Sequence, residues 1–160
     1  MVSSYNNILQ ISAVDTFGRA FNGYNLSIGI NSSSSLSSKM AVWKKASSSQ
    51  FVSEFNGDFS IILNKISNRF SQTISLDNIP SLGGYSLLTS QLFRNTDLCH
   101  LHLIHLGHFF SPLLFPILSR LRPTVWTIHD MWPLTGACNF SLDCDKWLSS
   151  CEGYCPAPRT

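Results

Sequence analysis

The chain has 160 residues, the length of one ordinary domain, and can bury a single sizeable core. Only 12% of the residues are charged, about half the usual share, while 44% are hydrophobic, which excludes the polar, highly charged composition of a disordered segment. Eleven basic against nine acidic residues leave a net charge of +2, too balanced for an electrostatic grip on nucleic acid or anionic lipid.

No secretory signal is expected, because residues 1–14 lack a basic start and an unbroken apolar core. The most apolar stretch, residues 101–121, is interrupted by His102, His105, His108 and Arg120 and reads as buried strand and helix rather than a membrane span. The expected compartment is the cytosol, with the five cysteines reduced.

In chain order, residues 8–14 are mostly apolar and β-branched, as in a strand buried on both faces. Asp15-Thr16-Phe17-Gly18 breaks that run, and Ala20, Phe21, Tyr24 and Ile28 follow at helical gaps. Strand, glycine turn and helix open a doubly wound α/β domain. The serine tract at residues 32–35 reads as a polar turn, and residues 39–43 as a second strand. Residues 46–95 are less legible. Ser47-Ser48-Ser49 and Asn56-Gly57-Asp58 read as loops, whereas Ile61, Ile62, Lys65, Ile66 and Phe70 have helical spacing, as do Leu82, Tyr85, Leu88 and Leu92. Gly83-Gly84 should weaken the start of that last helix by roughly 1 kcal/mol per glycine.

Residues 97–103 form an expected strand with His100 and His102 at period two, on one face. Ser111-Pro112 has the chemistry of a helix start, with the helix running to about Leu121 and Pro116 expected to remove a hydrogen bond and kink it. Residues 124–128 are another buried strand, ending at His129-Asp130. All four strands should pair in parallel, with helices on both faces. Ligands of open α/β sheets bind beyond the carboxyl ends of the strands, which makes His129 and Asp130 candidates on position alone.

Three blocks carry a resemblance: DLCHLHLIH at 97–105, PTVWTIHDMWPLTG at 123–136 and CNFSLDCDKWLSSCEGYCP at 138–156. They resemble the amino-terminal half of bacterial family 4, or group 1, glycosyltransferases, which build surface polysaccharides. Residues 8–11 with Asp15 and Gly18 resemble the family's first strand and glycine loop, and residues 39–45 its second strand. Gly18 stands alone between Phe17 and Arg19, where the family usually has adjacent glycines. The resemblance implies one Rossmann-like domain over residues 1–160, the acceptor-side half of a two-domain glycosyltransferase B-type fold. The other half, which holds the nucleotide-sugar donor, is expected outside this chain, so the chain alone is expected to be an inactive fragment. The implied acceptor is a saccharide or lipid-linked saccharide, with no nucleic acid partner and no catalytic cofactor. The implied location is the cytoplasm, either free or peripheral at the inner face of the plasma membrane.

The resemblance places His129 against the donor sugar, with Asp130 orienting its imidazole. The alternative for this pair is capping a helix or each other. His102 and His105 fall on the acceptor side by resemblance, or serve packing. Together with His100 and His108 they could suggest a metal site, but no carboxylate stands near in sequence to complete one. Gly18 is the candidate phosphate-side contact. Trp132, beside Pro133, is a candidate sugar contact, whereas Trp126 reads as core. Cys138, Cys144, Cys151 and Cys155 leave three alternatives open: a structural zinc, free thiols or redox pairs. Two rival functions remain. A dinucleotide enzyme is disfavoured by the lack of G-x-G-x-x-G after the first strand, while a non-catalytic, zinc-stabilised binding module or remnant stays open.

Overall fold

A computed structural model describes residues 6–16, 22–33, 35–73, 79, 81–135 and 138–149. The chain divides into two compact units, Met1–Thr127 and Ile128–Thr160.

The first unit is built on five strands: β1 Asn7–Val14, β2 Ser37–Lys44, β3 Val52–Glu54, β4 Leu98–Leu101 and β5 Thr124–Trp126. They lie in the order β3-β2-β1-β4-β5, and every pair is parallel. This is the α/β, Rossmann-like arrangement expected from the sequence. β1 lies at the centre because it is buried along nearly its whole length. Its two faces differ in chemistry, which the reading of a mostly apolar strand buried on both faces did not anticipate. Leu9, Ile11 and Ala13 join Leu101, Leu114 and Leu118 in the main core, whereas Gln10 and Ser12 are equally buried on the other face.

Helix α1, Asn22–Ser33, connects β1 to β2. Ser32 and Ser33 belong to its last turn, so the serine tract begins as helix rather than turn; their hydroxyls donate to the Gly29 carbonyl. α2, Asp58–Thr73, follows β3, a strand too short to show periodicity. The expected helix over Leu82–Leu92 is broken into a 3-10 turn, Gly83–Tyr85, then α3, Ser86–Thr89, and α4, Gln91–Arg94. The break falls at Ser90, whose extended backbone (ψ 148°) lets its hydroxyl cap α4 by accepting from Phe93 N–H at 3.2 Å. The glycine pair therefore sits in the turn, where Gly84 N–H donates to the Phe109 carbonyl at 2.6 Å. α5, Leu114–Leu121, begins after Ser111, which accepts from Leu113 N–H at 3.2 Å. Pro116 lies in its first turn, where N–H groups have no intrahelical partner, so the expected loss of a hydrogen bond does not arise.

Right-handed crossovers place α1 on one side of the sheet and α2 to α5 on the other. The start of β1 is clasped to β4: Asp97 accepts from the backbone of Asn6 and Asn7 at 3.1 and 2.9 Å and from the Asn7 side chain at 3.0 Å. Among the described residues, no helix is long and apolar enough to cross a membrane.

The second unit is small. Its helix α6, Trp132–Thr135, is followed by a return of the chain in which Met131 N–H donates to the Asn139 carbonyl at 2.9 Å. The Ser141 hydroxyl meets Met131 Sδ at 3.1 Å. Phe140, Leu142 and Leu148 remain exposed.

Candidate functional site

Parallel pairing gathers the carboxyl ends of β1, β2 and β4 on one edge of the first unit. Asp15, His102 and His105 follow those strand ends. Gly18 lies outside the described residues.

His102 continues the ladder beyond β4, its N–H donating to the Ile11 carbonyl at 2.9 Å. Its ring is 3% exposed and packs 4.2 Å, centroid to centroid, from the ring of His100, so the two histidines do share a face. Nε2 of His102 meets Gln10 Oε1 at 2.7 Å, and Gln10 Nε2 donates to Ser38 Oγ at 3.3 Å. Ser38 in turn meets the Ser27 hydroxyl of α1 at 3.0 Å. Because the Gln10 oxygen only accepts, this chain of bonds makes Nε2 of His102 the protonated nitrogen. Gly23 of α1 lets the ring fit: a Cβ there would stand 2.8 Å from His102 Cδ2. His100 bonds Thr127 Oγ1 at 2.7 Å. His105 is also buried, and its carbonyl accepts from His108 N–H at 3.3 Å in a tight turn where Gly107 and His108 have positive φ.

Asp15 is fully buried and receives Ala46 N–H at 2.7 Å and Ser47 N–H at 2.9 Å. Burial pushes its carboxyl up, but these bonds and the Ser47 hydroxyl outweigh that and hold it below the ordinary 3.8. The carboxylate thus fastens the loop after β2 to the end of β1. Sequence reasoning passed over both Asp15's clamp and the Gln10–Ser38–Ser27 network. The signal for the network was present, since Gln10 and Ser12 alternate with apolar residues in β1.

His129, Asp130 and Trp132 belong to the second unit, and all three are half-buried. Asp130 Oδ1 accepts from Trp132 N–H at 3.0 Å, a bond that starts α6. Of the cysteines, Cys138 and Cys144 are half-buried thiols rather than disulfides, and Cys151 and Cys155 lie outside the described residues. Cys138 is anchored through its backbone, its N–H and carbonyl bonding Thr135 Oγ1 at 2.9 and 3.0 Å. Among the described residues, no three His, Cys, Asp or Glu side chains are placed to hold a metal ion.

A stretch of 32 residues is 47% identical to an Escherichia coli (strain K12) protein named as the colanic acid biosynthesis glycosyl transferase WcaC. The similarity is thus to a glycosyl transferase. The matched stretch is 20% of this chain and 8% of that protein. No family model matches the chain, and no solved structure does.

A cavity of about 840 Å³ opens at the other end of the sheet, by the amino ends of β1, β2 and β4. Of its charged lining, Asp97 and Arg122 are engaged in holding the fold: Asp97 clasps β1, and Arg122 Nε donates to the Thr96 carbonyl at 2.6 Å. The carboxyl edge remains the candidate, because ligands of open α/β sheets bind beyond the carboxyl ends of the strands.

Proposed function

We propose that this chain is the acceptor-side half of a glycosyltransferase of surface polysaccharide synthesis, resembling the family 4 enzymes. The observation that carries this reading is the 47% identity over 32 residues to a glycosyl transferase named for colanic acid biosynthesis. The parallel Rossmann-like sheet supports it as the expected scaffold.

On this reading an acceptor hydroxyl attacks the anomeric carbon of a nucleotide sugar. The new C–O bond forms as the bond to phosphate breaks, the nucleoside diphosphate leaves with the electron pair, and the hydroxyl proton passes to the departing phosphate oxygen or to water. His129 hydrogen-bonds the donor sugar as charge develops, and Asp130, fixed by the Trp132 N–H, orients it. Trp132 offers an indole edge to the sugar. His105 stands on the acceptor side, while His102, enclosed beneath α1, sets the position of the β4 end rather than touching substrate. The donor half is supplied by polypeptide outside these residues.

The test is a screen of nucleotide sugars with saccharide and lipid-linked acceptors, using the polypeptide of the complete reading frame and measuring nucleoside diphosphate release. Acceptor-dependent release with one donor supports the reading. No release from any donor overturns it.

A further inference from the structure

The row of residues that crosses the sheet at Leu9 does not stay buried. Register sets Leu9 of β1 beside Cys99 of β4 and beside Lys39 of β2, and residues paired across parallel strands share a face. Leu9 and Cys99 lie in the main core, whereas Lys39 is exposed. A helix packed over that position would call for an apolar residue. Lys39 instead lines the cavity of about 840 Å³ at the amino ends of the strands. Small-molecule sites occupy roughly 300–1,000 Å³, so the space suits a ligand of that size.

Two further cations line it from separate elements, Arg94 in the last turn of α4 and Arg122 between α5 and β5. Among the described residues, neither the Lys39 nor the Arg94 side chain has a hydrogen bond or ion pair. Arg122 is held in place. Its Nε and Nη1 donate to the Thr96 and Leu121 carbonyls at 2.6 and 2.7 Å, and its Cζ stands 5.6 Å from the centre of the Phe93 ring. The one carboxylate of the lining, Asp97, is already met by three N–H donors from Asn6 and Asn7. The lining is therefore positive, although the chain as a whole carries only +2.

We propose that this cavity binds a small phosphate-bearing molecule with a hydroxyl-rich body, of the class of sugar phosphates. Lys39 and Arg94 hold the phosphate oxygens, the first as a point charge and the second through its planar fork. The fixed guanidinium of Arg122 adds a third positive group that costs no ordering when the ligand arrives. The rest of the polar lining suits hydroxyls: Gln91 Nε2 donates to Asn95 Oδ1 at 3.1 Å, which joins the two amides, and Ser37 adds its own hydroxyl. This site lies at the end of the sheet opposite the carboxyl edge and is independent of the transferase reading.

Calorimetric titration of the full chain with ribose 5-phosphate, glucose 6-phosphate, inorganic phosphate and ribose, at one ionic strength, tests the proposal. The expected result is saturable binding of a sugar phosphate, weaker binding of inorganic phosphate and none of ribose. Lys39→Gln with Arg94→Gln should weaken the sugar phosphate at least about tenfold, because two charge-assisted contacts are lost. The thermal midpoint without ligand should stay as in the parent, since both side chains are exposed. Lys65→Gln, at an exposed cation of α2 outside the cavity lining, should bind as the parent does. No saturable binding of any phosphate-bearing probe overturns the proposal, as does a double variant within about twofold of the parent. A loss in Lys65→Gln as large as in the double variant also overturns it and assigns binding to diffuse charge. Equal affinity for inorganic phosphate and both sugar phosphates overturns the assignment of a hydroxyl-rich body.

Discussion

Single side chains in this fold are tuned by how many donors reach them. Burial pushes the Cys99 thiol up to about 12, with Arg122 opposing weakly. Native protein at pH 8 should therefore leave Cys99 unmodified by a thiol reagent, whereas Cys138 and Cys144 react; mass spectrometry of labelled peptides reads this, and Cys99 should label fully in denaturant. Asp97 is held below the ordinary 3.8 by Asn7 and Asn6 N–H groups, the Asn7 side chain and Arg122, and Asp15 is lowered as described above. Both carboxyls are depressed in the folded state. Each therefore adds stability above pH 3.8 that is lost as pH falls through its folded value. The urea midpoint should start to drop as pH falls toward 3.8 and keep dropping below it until the folded values are passed, and Asp97→Asn should flatten part of that drop. Neither carboxylate's role could be read from sequence, since Asp97 meets Asn7 across ninety positions of chain.

Elements were legible where burial and propensity agreed. The strands β1, β2 and β4 are runs suited to a covered sheet, so their existence and parallel pairing follow from sequence. β5 pairs in parallel as expected, but at the edge of the sheet, with Val125 50% exposed, it is not the buried strand its composition suggested. β3 was not legible because three residues carry no period. In α2 the spacing of Ile62, Ile66 and Phe70 indicated the helix, but not that Ser60, Asn64 and Ser67 form its buried face. α1 shows how packing overrides propensity, and two glycines in the one helix separate the effects. Gly29→Ala meets nothing within 4 Å and should stabilise the fold by about 0.5–1 kcal/mol through helix propensity alone. At Gly23 the same gain is opposed, because the new Cβ would press on Nε2 of His102 at 2.9 Å and displace the Gln10 bond. Overpacking of this kind costs about 1–3 kcal/mol, so Gly23→Ala should lower the thermal midpoint while Gly29→Ala raises it. Equal shifts in the two variants would show that α1 does not rest on the His102 ring.

For the molecule as a whole, the proposed glycosyltransferase reading puts the cleft between two halves, of which the sheet described here would be one. The chain alone should release no nucleoside diphosphate, and the polypeptide with both halves should. If the proposed role of His129 holds, His129→Ala in that polypeptide should raise the barrier by a few kcal/mol, the usual cost of losing a polar contact made as charge develops at the reacting carbon. Its stability should change little, since His129 is only half-buried. Asp130→Asn should act more mildly, because an amide oxygen can still accept the Trp132 N–H at the start of α6. Asp130→Ala loses that bond as well and should also cost about 0.5–1.5 kcal/mol of stability, the usual net worth of one hydrogen bond, which separates its turn-forming role from its orienting role. Turnover of His129→Ala within about threefold of the parent, at saturating donor and acceptor, corresponds to only about 0.65 kcal/mol and would remove His129 from the chemistry.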